Sequence, residues 1–148
     1  MDATCTLFSY KFESMLLLAL AIAPGLAICV YVLYHDVYNR EPAINMIMSF
    51  FWGMLSILPA VYIEGLVYPL FGKSIVSILA GAFLCVALVE ESCKFAVLRT
   101  YSYTRRSFDE PLDGIVYSVL VSMGFATVEN IYYVVQHGYE VAFLRMFT

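Results

Sequence analysis

The residues best equipped for chemistry are acids placed where acids are expensive. Glu90-Glu91-Ser92-Cys93-Lys94 and Glu129-Asn130 fall inside long apolar runs, and Glu64 falls inside another. A charge in hydrocarbon costs at least ~2.5 kcal/mol even on lenient insertion scales, so an embedded ionisable residue is read as functional by default. Lys94 follows Glu90 by four residues and Glu91 by three, and on a helix it reaches either carboxylate. One lysine cannot neutralise two acids. The pair is expected to divide, one carboxylate ionised beside Lys94 and the other able to carry a proton, as a general base and a general acid require. An ion cluster that only fixes helix register is the plainer alternative. Asn130 adds an amide that can donate to a developing oxyanion, or equally bond across to another helix.

The remaining polar residues read more simply. Glu64 lies about six residues before the end of its run, where its side chain can reach the interface, and it receives no catalytic role. His137, at the edge of its run, is a metal ligand in principle but reads as an interfacial polar residue. Cys5, Cys29, Cys85 and Cys93 include no Cys-x-x-Cys pair, so they read as buried thiols rather than a disulfide framework or zinc site. The acids of Phe108-Asp109-Glu110-Pro111-Leu112-Asp113 read as partners of Arg105 and Arg106 in a solvated loop.

Elements able to hold such acids must be membrane helices. The chain has 148 residues, 62% hydrophobic and 14% charged, which excludes an ordinary soluble domain. A net charge of -4, with no basic cluster beyond Arg105-Arg106, excludes nucleic acid as a partner. The gaps between charges mark spans at 14–34, 43–70, 74–98 and 114–136, each long enough for a ~30 Å hydrocarbon core. The expectation is an all-α integral membrane protein, a bundle of about four transmembrane helices forming one multi-pass domain over residues 1–148. Pro24-Gly25 is expected to kink the first span, Pro59 to interrupt the second, and Asp113 to cap the fourth.

The leader carries Lys11, Asp2 and Glu13 before a run too long for a signal peptide, so the first span is expected to be retained. Arg40, Arg99, Arg105 and Arg106 outnumber Lys11, Lys73 and Arg145, which puts the first and third connectors in the cytoplasm. Gly114, Ser118, Ser122, Ala126 and Asn130 recur every four residues as a ridge of small side chains suited to helix packing. Ala19, Ala23 and Ala27 form a similar ridge, as do Ser77, Gly81 and Cys85. Helical rise places Glu90 and Glu91 roughly 13 Å, and Glu129 roughly 22 Å, from the third-connector ends of their spans. Antiparallel neighbours bring these carboxylates to comparable depth near the midplane.

With these residues in hand, the sequence resembles the PrsW family of bacterial intramembrane proteases over nearly its whole length. Pro24-Gly25 with the aromatic run to Asp36 and then Arg40-Glu41-Pro42 is similar to the family's first span and its exit. Glu90-Glu91-Ser92-Cys93-Lys94 fits its Glu-Glu-x-x-Lys motif, and Phe108 to Tyr117, through Gly124-Phe125-Ala126 to Glu129-Asn130, fits its second. The resemblance implies a multi-pass endopeptidase of the bacterial cell membrane. It belongs with the wider group of prenyl-protein and bacteriocin-processing proteases, whose Phe-x-x-x-polar spacing Phe125 and Glu129 share.

By that resemblance Glu90 and Glu91 activate the hydrolytic water, Lys94 tunes them, and Glu129 with Asn130 completes the site. The family is metal-dependent, so Glu90, Glu91 and Glu129 are the implied ligands of a divalent ion such as zinc. A carboxylate acting directly as base is equally open. The implied substrate is a single-pass membrane protein, of which an anti-sigma factor is the family's type. The family carries a further histidine motif in a later span, which His137 does not match. The chain therefore reads as the N-terminal part of a longer family core. The rivals are a small dimeric transporter using an embedded glutamate for proton coupling, and a catalytically incomplete membrane scaffold. The transporter is disfavoured because the first span holds no acid.

Overall fold

A computed structural model describes residues 3–35, 40–138 and 141 of the chain, with side chains from residue 15 onward. Asp36, Arg145 and residues 146–148 lie outside the described residues, as do the side chains of Cys5, Lys11 and Glu13. Every regular element among the described residues is helical. Four stretches are long and apolar enough to cross a bilayer: Met15–His35, Ala43–Leu70, Ile75–Thr104 and Pro111–His137. The expected spans are all present, and the chain is a multi-pass membrane protein.

The first stretch is a single helix, α1 (Ala3–His35), which runs through Pro24 without a break. The second divides into α2 (Ala43–Leu55) and α3 (Ile57–Val67), followed by a short 3-10 turn at Tyr68–Leu70. The division follows from Pro59, which has no N–H for the Leu55 carbonyl four residues earlier. Ser56 fills the gap, its N–H donating to the carbonyls of Trp52 and Gly53 and its hydroxyl to that of Gly53 at 2.7 Å.

The third stretch holds a feature that the apolar pattern does not announce. Ser74 caps α4 (Ile75–Ala80), accepting the Ser77 N–H at 3.2 Å. A seven-residue π-helical segment, Gly81–Ala87, then leads directly into α5 (Leu88–Thr100). Such wide turns are rare and gather at functional sites. Here the segment ends three residues before Glu90.

The last helix, α6 (Pro111–His137), starts three residues earlier than the acid pattern implied. Pro111 occupies its first turn, where a missing N–H costs nothing. Asp113 is therefore not the cap itself. It sits in the first turn and reaches back, its Oδ2 accepting the N–H groups of Asp109 at 2.9 Å and Glu110 at 2.7 Å. Buried in that role, Asp113 is not the arginine partner expected of it, and Arg105 instead stacks on Tyr101, 3.9 Å from the ring centroid.

Helix α6 is the centre of the bundle. Ala21 of α1 and Val134 of α6 are buried against Leu17, Leu20 and Ile131. Towards the other end Cys29, Val116 and Leu120 pack with Phe50 and Met123. Cys29, Cys85 and Cys93 are free thiols, the first two buried, as expected. Hydrocarbon offers no hydrophobic driving force between helices, so close backbone approach must hold them together.

That approach occurs at two glycines outside the expected ridges. A Cβ on Gly53 would lie 2.1 Å from the Val121 carbonyl oxygen, and one on Gly124 would lie 2.1 Å from that of Phe50. The expected ridge Gly114–Asn130 is only half-buried. The tightest seam instead runs along the adjoining face of α6, where Val121 and Gly124 meet α2.

Polar bonds tie the loop before α6 to the same bundle. Tyr117 donates to Glu41 Oε2 at 2.5 Å, Asn45 donates to Ser107 Oγ at 3.2 Å, and the Ser49 and Ser102 hydroxyls lie 2.9 Å apart. Glu41, Ser49, Ser102 and Tyr117 are all buried.

Candidate functional site

Two clefts open where α5 meets α6. The larger, about 670 Å³, lies between α3, the end of the π segment with α5, and α6. Its walls carry Glu64, Glu90 and Glu129, together with Val61, Phe125 and Tyr133. Phe125 and Glu129 share it because residues four apart on a helix lie one above the other. Leu58, Val61, Tyr62 and Tyr132 line it while remaining more than half exposed, so among the described residues the cleft opens sideways, between the helices rather than at their ends.

The smaller cleft, about 160 Å³, is lined by Glu91, Lys94, Phe95, Leu98, Ser118, Val121 and Ser122. The serines of the expected packing ridge thus border an opening. Lys94 joins the two clefts: its Nζ donates to Glu91 Oε1 at 2.8 Å, lies 3.8 Å from Glu90 Oε2, and stands 4.5 Å from the Phe125 ring centroid. Glu91 is 70% exposed at its side chain and Glu90 only 20%, so the two neighbouring acids stand in different surroundings.

The structure therefore gathers part of the expected set. Glu90 and Glu129 come to one cleft from two helices, and Lys94 touches its edge. Glu91 faces the other cleft. Asn130 turns towards α1, its Nδ2 3.5 Å from the Ala21 carbonyl oxygen. His137 sits exposed at the end of α6, where Nδ1 lies 3.1 Å from the Tyr133 carbonyl oxygen, in keeping with an interfacial role.

Glu64 requires a correction. Its side chain does not escape to the interface but lines the large cleft, with Oε1 buried and without a hydrogen-bond partner among the described residues. Nearness to the end of the span suggests otherwise, but Glu64 shares the face of α3 that carries buried Ala60 and half-buried Ile57 and Val67, and that face turns inward. The usable signal was the one applied to the other acids, an ionisable residue in an apolar run.

The described side chains do not make a metal cage by themselves. No group of three His, Cys, Asp or Glu among the described residues stands close enough to hold an ion. The implied trio of Glu90, Glu91 and Glu129 is divided between the two clefts. The chemistry that this arrangement offers on its own is acid and base catalysis by carboxylates of unequal exposure at the edge of an apolar cleft.

Residues 41–148 match the family described as PrsW family intramembrane metalloprotease. Protease PrsW of Geobacillus kaustophilus is 42% identical over 130 residues, 87% of this chain and 56% of that protein. Protease PrsW of Bacillus subtilis is 40% identical over 135 residues, 87% of this chain and 58% of its own length. Protease PrsW of Clostridioides difficile is 33% identical over 128 residues, 85% of this chain and 53% of its own length. The chain thus spans little more than half the length of these curated relatives. No solved structure matches it.

Proposed function

The chain belongs to the PrsW family of intramembrane metalloproteases, and from that premise we propose that it hydrolyses a peptide bond of a membrane-anchored protein, with Glu90 taking the proton of the attacking water. The observation that supports this reading is the shared cleft, in which a shielded carboxylate on α5 and a second on α6 border one sideways opening. Lys94 Nζ stands 3.8 Å from Glu90 Oε2, a cation beside the proposed base. Water attack on the carbonyl would pass a proton to Glu90, a protonated Glu129 would give its proton to the departing amine, and the proton on Glu90 would return to Glu129 through water before the next turnover. Glu91 takes a supporting part, engaging Lys94 from the exposed side.

The proposed substrate is a single-pass protein of the anti-sigma-factor kind, reaching the cleft within the bilayer. The family is described as metalloproteases, but the described carboxylates do not converge on one point, so no step is routed through an ion and the roles proposed for Glu90, Glu129 and Lys94 stand without one. The test is cleavage of a single-pass reporter by the protein reconstituted in vesicles. Glu90→Gln is expected to lower the rate by about 10²–10⁴, the contribution of a positioned general base, while leaving the thermal melt in detergent unchanged. A wild-type rate in that variant would refute the proposal.

A further inference from the structure

The proposed hydrolysis employs Glu90 and Glu129 and leaves Glu64 without a task. Yet Glu64 carries the most conspicuous cost in the cleft. Its Oε1 is buried and has no hydrogen-bond partner among the described residues, and an acceptor left so is costly even in soluble proteins. The surrounding surface of Ile57, Leu58 and Val61 would accept a leucine at no such cost. Its backbone is already engaged, since the Cys85 thiol lies 3.9 Å from the Glu64 carbonyl oxygen across to the π segment. The side chain thus lines the cleft from the wall formed by α3 with Oε1 tucked away unsatisfied, while Glu90 and Glu129 come from α5 and α6.

A peptide undergoing hydrolysis within a membrane has the opposite deficiency. A helical substrate hides its peptide bonds in its own hydrogen-bond ladder, and unwinding a stretch to expose one bond strands N–H groups in hydrocarbon with no water to satisfy them. A carboxyl oxygen beside the cleft is an acceptor for such a donor. We infer that Glu64 is a substrate-positioning residue: a turn of its side chain brings Oε1 from the α3 wall into the cleft, where it accepts a backbone N–H of the unwound peptide and holds that stretch across from Glu90. The inference rests on the peptidase reading and assigns recognition to a residue outside the reacting set.

The test measures binding separately from turnover. The Glu90→Gln protein is reconstituted in phosphatidylcholine vesicles with a dansyl-labelled single-span peptide of about 20 leucines and alanines, a central Gly-Gly pair and flanking lysines. Trp52, the single tryptophan of the chain, serves as energy-transfer donor. Adding Glu64→Leu is expected to weaken binding at least about tenfold while the thermal melt stays level or rises, and Glu64→Gln, which keeps a carbonyl acceptor, is expected to restore most of the affinity.

N-methylation of one central peptide amide should cost the same factor against Glu64 and nothing further against Glu64→Leu. Equal binding by Glu64→Leu would overturn the inference, as would N-methyl losses that multiply with that substitution at every position. A lowered melt accompanying the lost affinity would also overturn it, assigning Glu64 to the fold. Failure of the peptide to bind even with Glu64 in place would refute the peptidase reading beneath it.

Discussion

The seam between α2 and α6 permits a quantitative test of what holds the cleft in shape. Replacing Gly124 with alanine puts a methyl carbon 2.1 Å from the Phe50 carbonyl oxygen, 3.0 Å from the carbon that bears it and 3.1 Å from the Met54 nitrogen. All three are backbone atoms, so no side chain can swing away. Restoring ordinary contact near 3.4 Å requires the helices to part by about 1.3 Å, and overpacking of this kind costs about 1–3 kcal/mol. Gly53→Ala meets the Val121 carbonyl at the same 2.1 Å and should behave alike.

Gly65→Ala is the control, for a methyl group there meets nothing within 4 Å and gains helix propensity. In detergent, Gly124→Ala and Gly53→Ala are expected to melt roughly 2–12 °C below wild type and Gly65→Ala at or above it. Because α6 carries Phe125 and Glu129 into the cleft, parting it from α2 by about 1 Å should also lower reporter cleavage by about 10². A Gly124→Ala protein that melts and cleaves like the Gly65→Ala control would refute the claim that close backbone approach fixes the site.

Three further outcomes follow from contacts elsewhere. Glu91→Gln should slow reporter cleavage by no more than about fivefold, because its exposed ion pair with Lys94 is worth at most ~1 kcal/mol, and a loss equal to that of Glu90→Gln would reverse the roles given to the two acids. Asp113→Ala strips the acceptor from two backbone N–H groups and should cost about 1–3 kcal/mol in a thermal melt, with faster amide exchange at Asp109 and Glu110. Tyr117→Phe removes the hydroxyl that meets the buried Glu41 and should cost about 1.5–3 kcal/mol, and a double-mutant cycle with Glu41→Gln should show strong coupling between the two positions.

The four spans were legible because charge avoidance in lipid is a strong constraint, and Pro59 marked the break in the second because a missing N–H has a fixed address. The neighbourhood of Glu90 and Glu129 was legible from depth alone. What escaped was rotational. Nothing in the uniformly apolar run Gly81–Ala87 signals a wide helical turn, since periodicity carries no information where every face is apolar.

Without that turn the sequence could not say which way Glu90 and Glu91 each face. The same limit hid Glu64, whose face of α3, with Ala60 buried on it, is the one that packs inward. Small residues at four-residue spacing suggested a packing ridge, yet single glycines on two different helices, Gly53 and Gly124, make the tightest contacts. Pairing across helices is a property of the assembled bundle, invisible in either helix by itself.

The sideways opening of the large cleft changes what concentration means for this protein. A ligand that approaches past Leu58, Val61 and Tyr132 comes from the bilayer plane, so its encounter rate depends on how many copies share a patch of membrane, not on how many share a litre of buffer. Spreading the same protein and ligand over twice the lipid dilutes both, whereas changing the aqueous volume dilutes neither. Acyl chains are then the resident competitors for about 670 Å³ of mostly apolar space, and their length and unsaturation set the background against which any guest must bind.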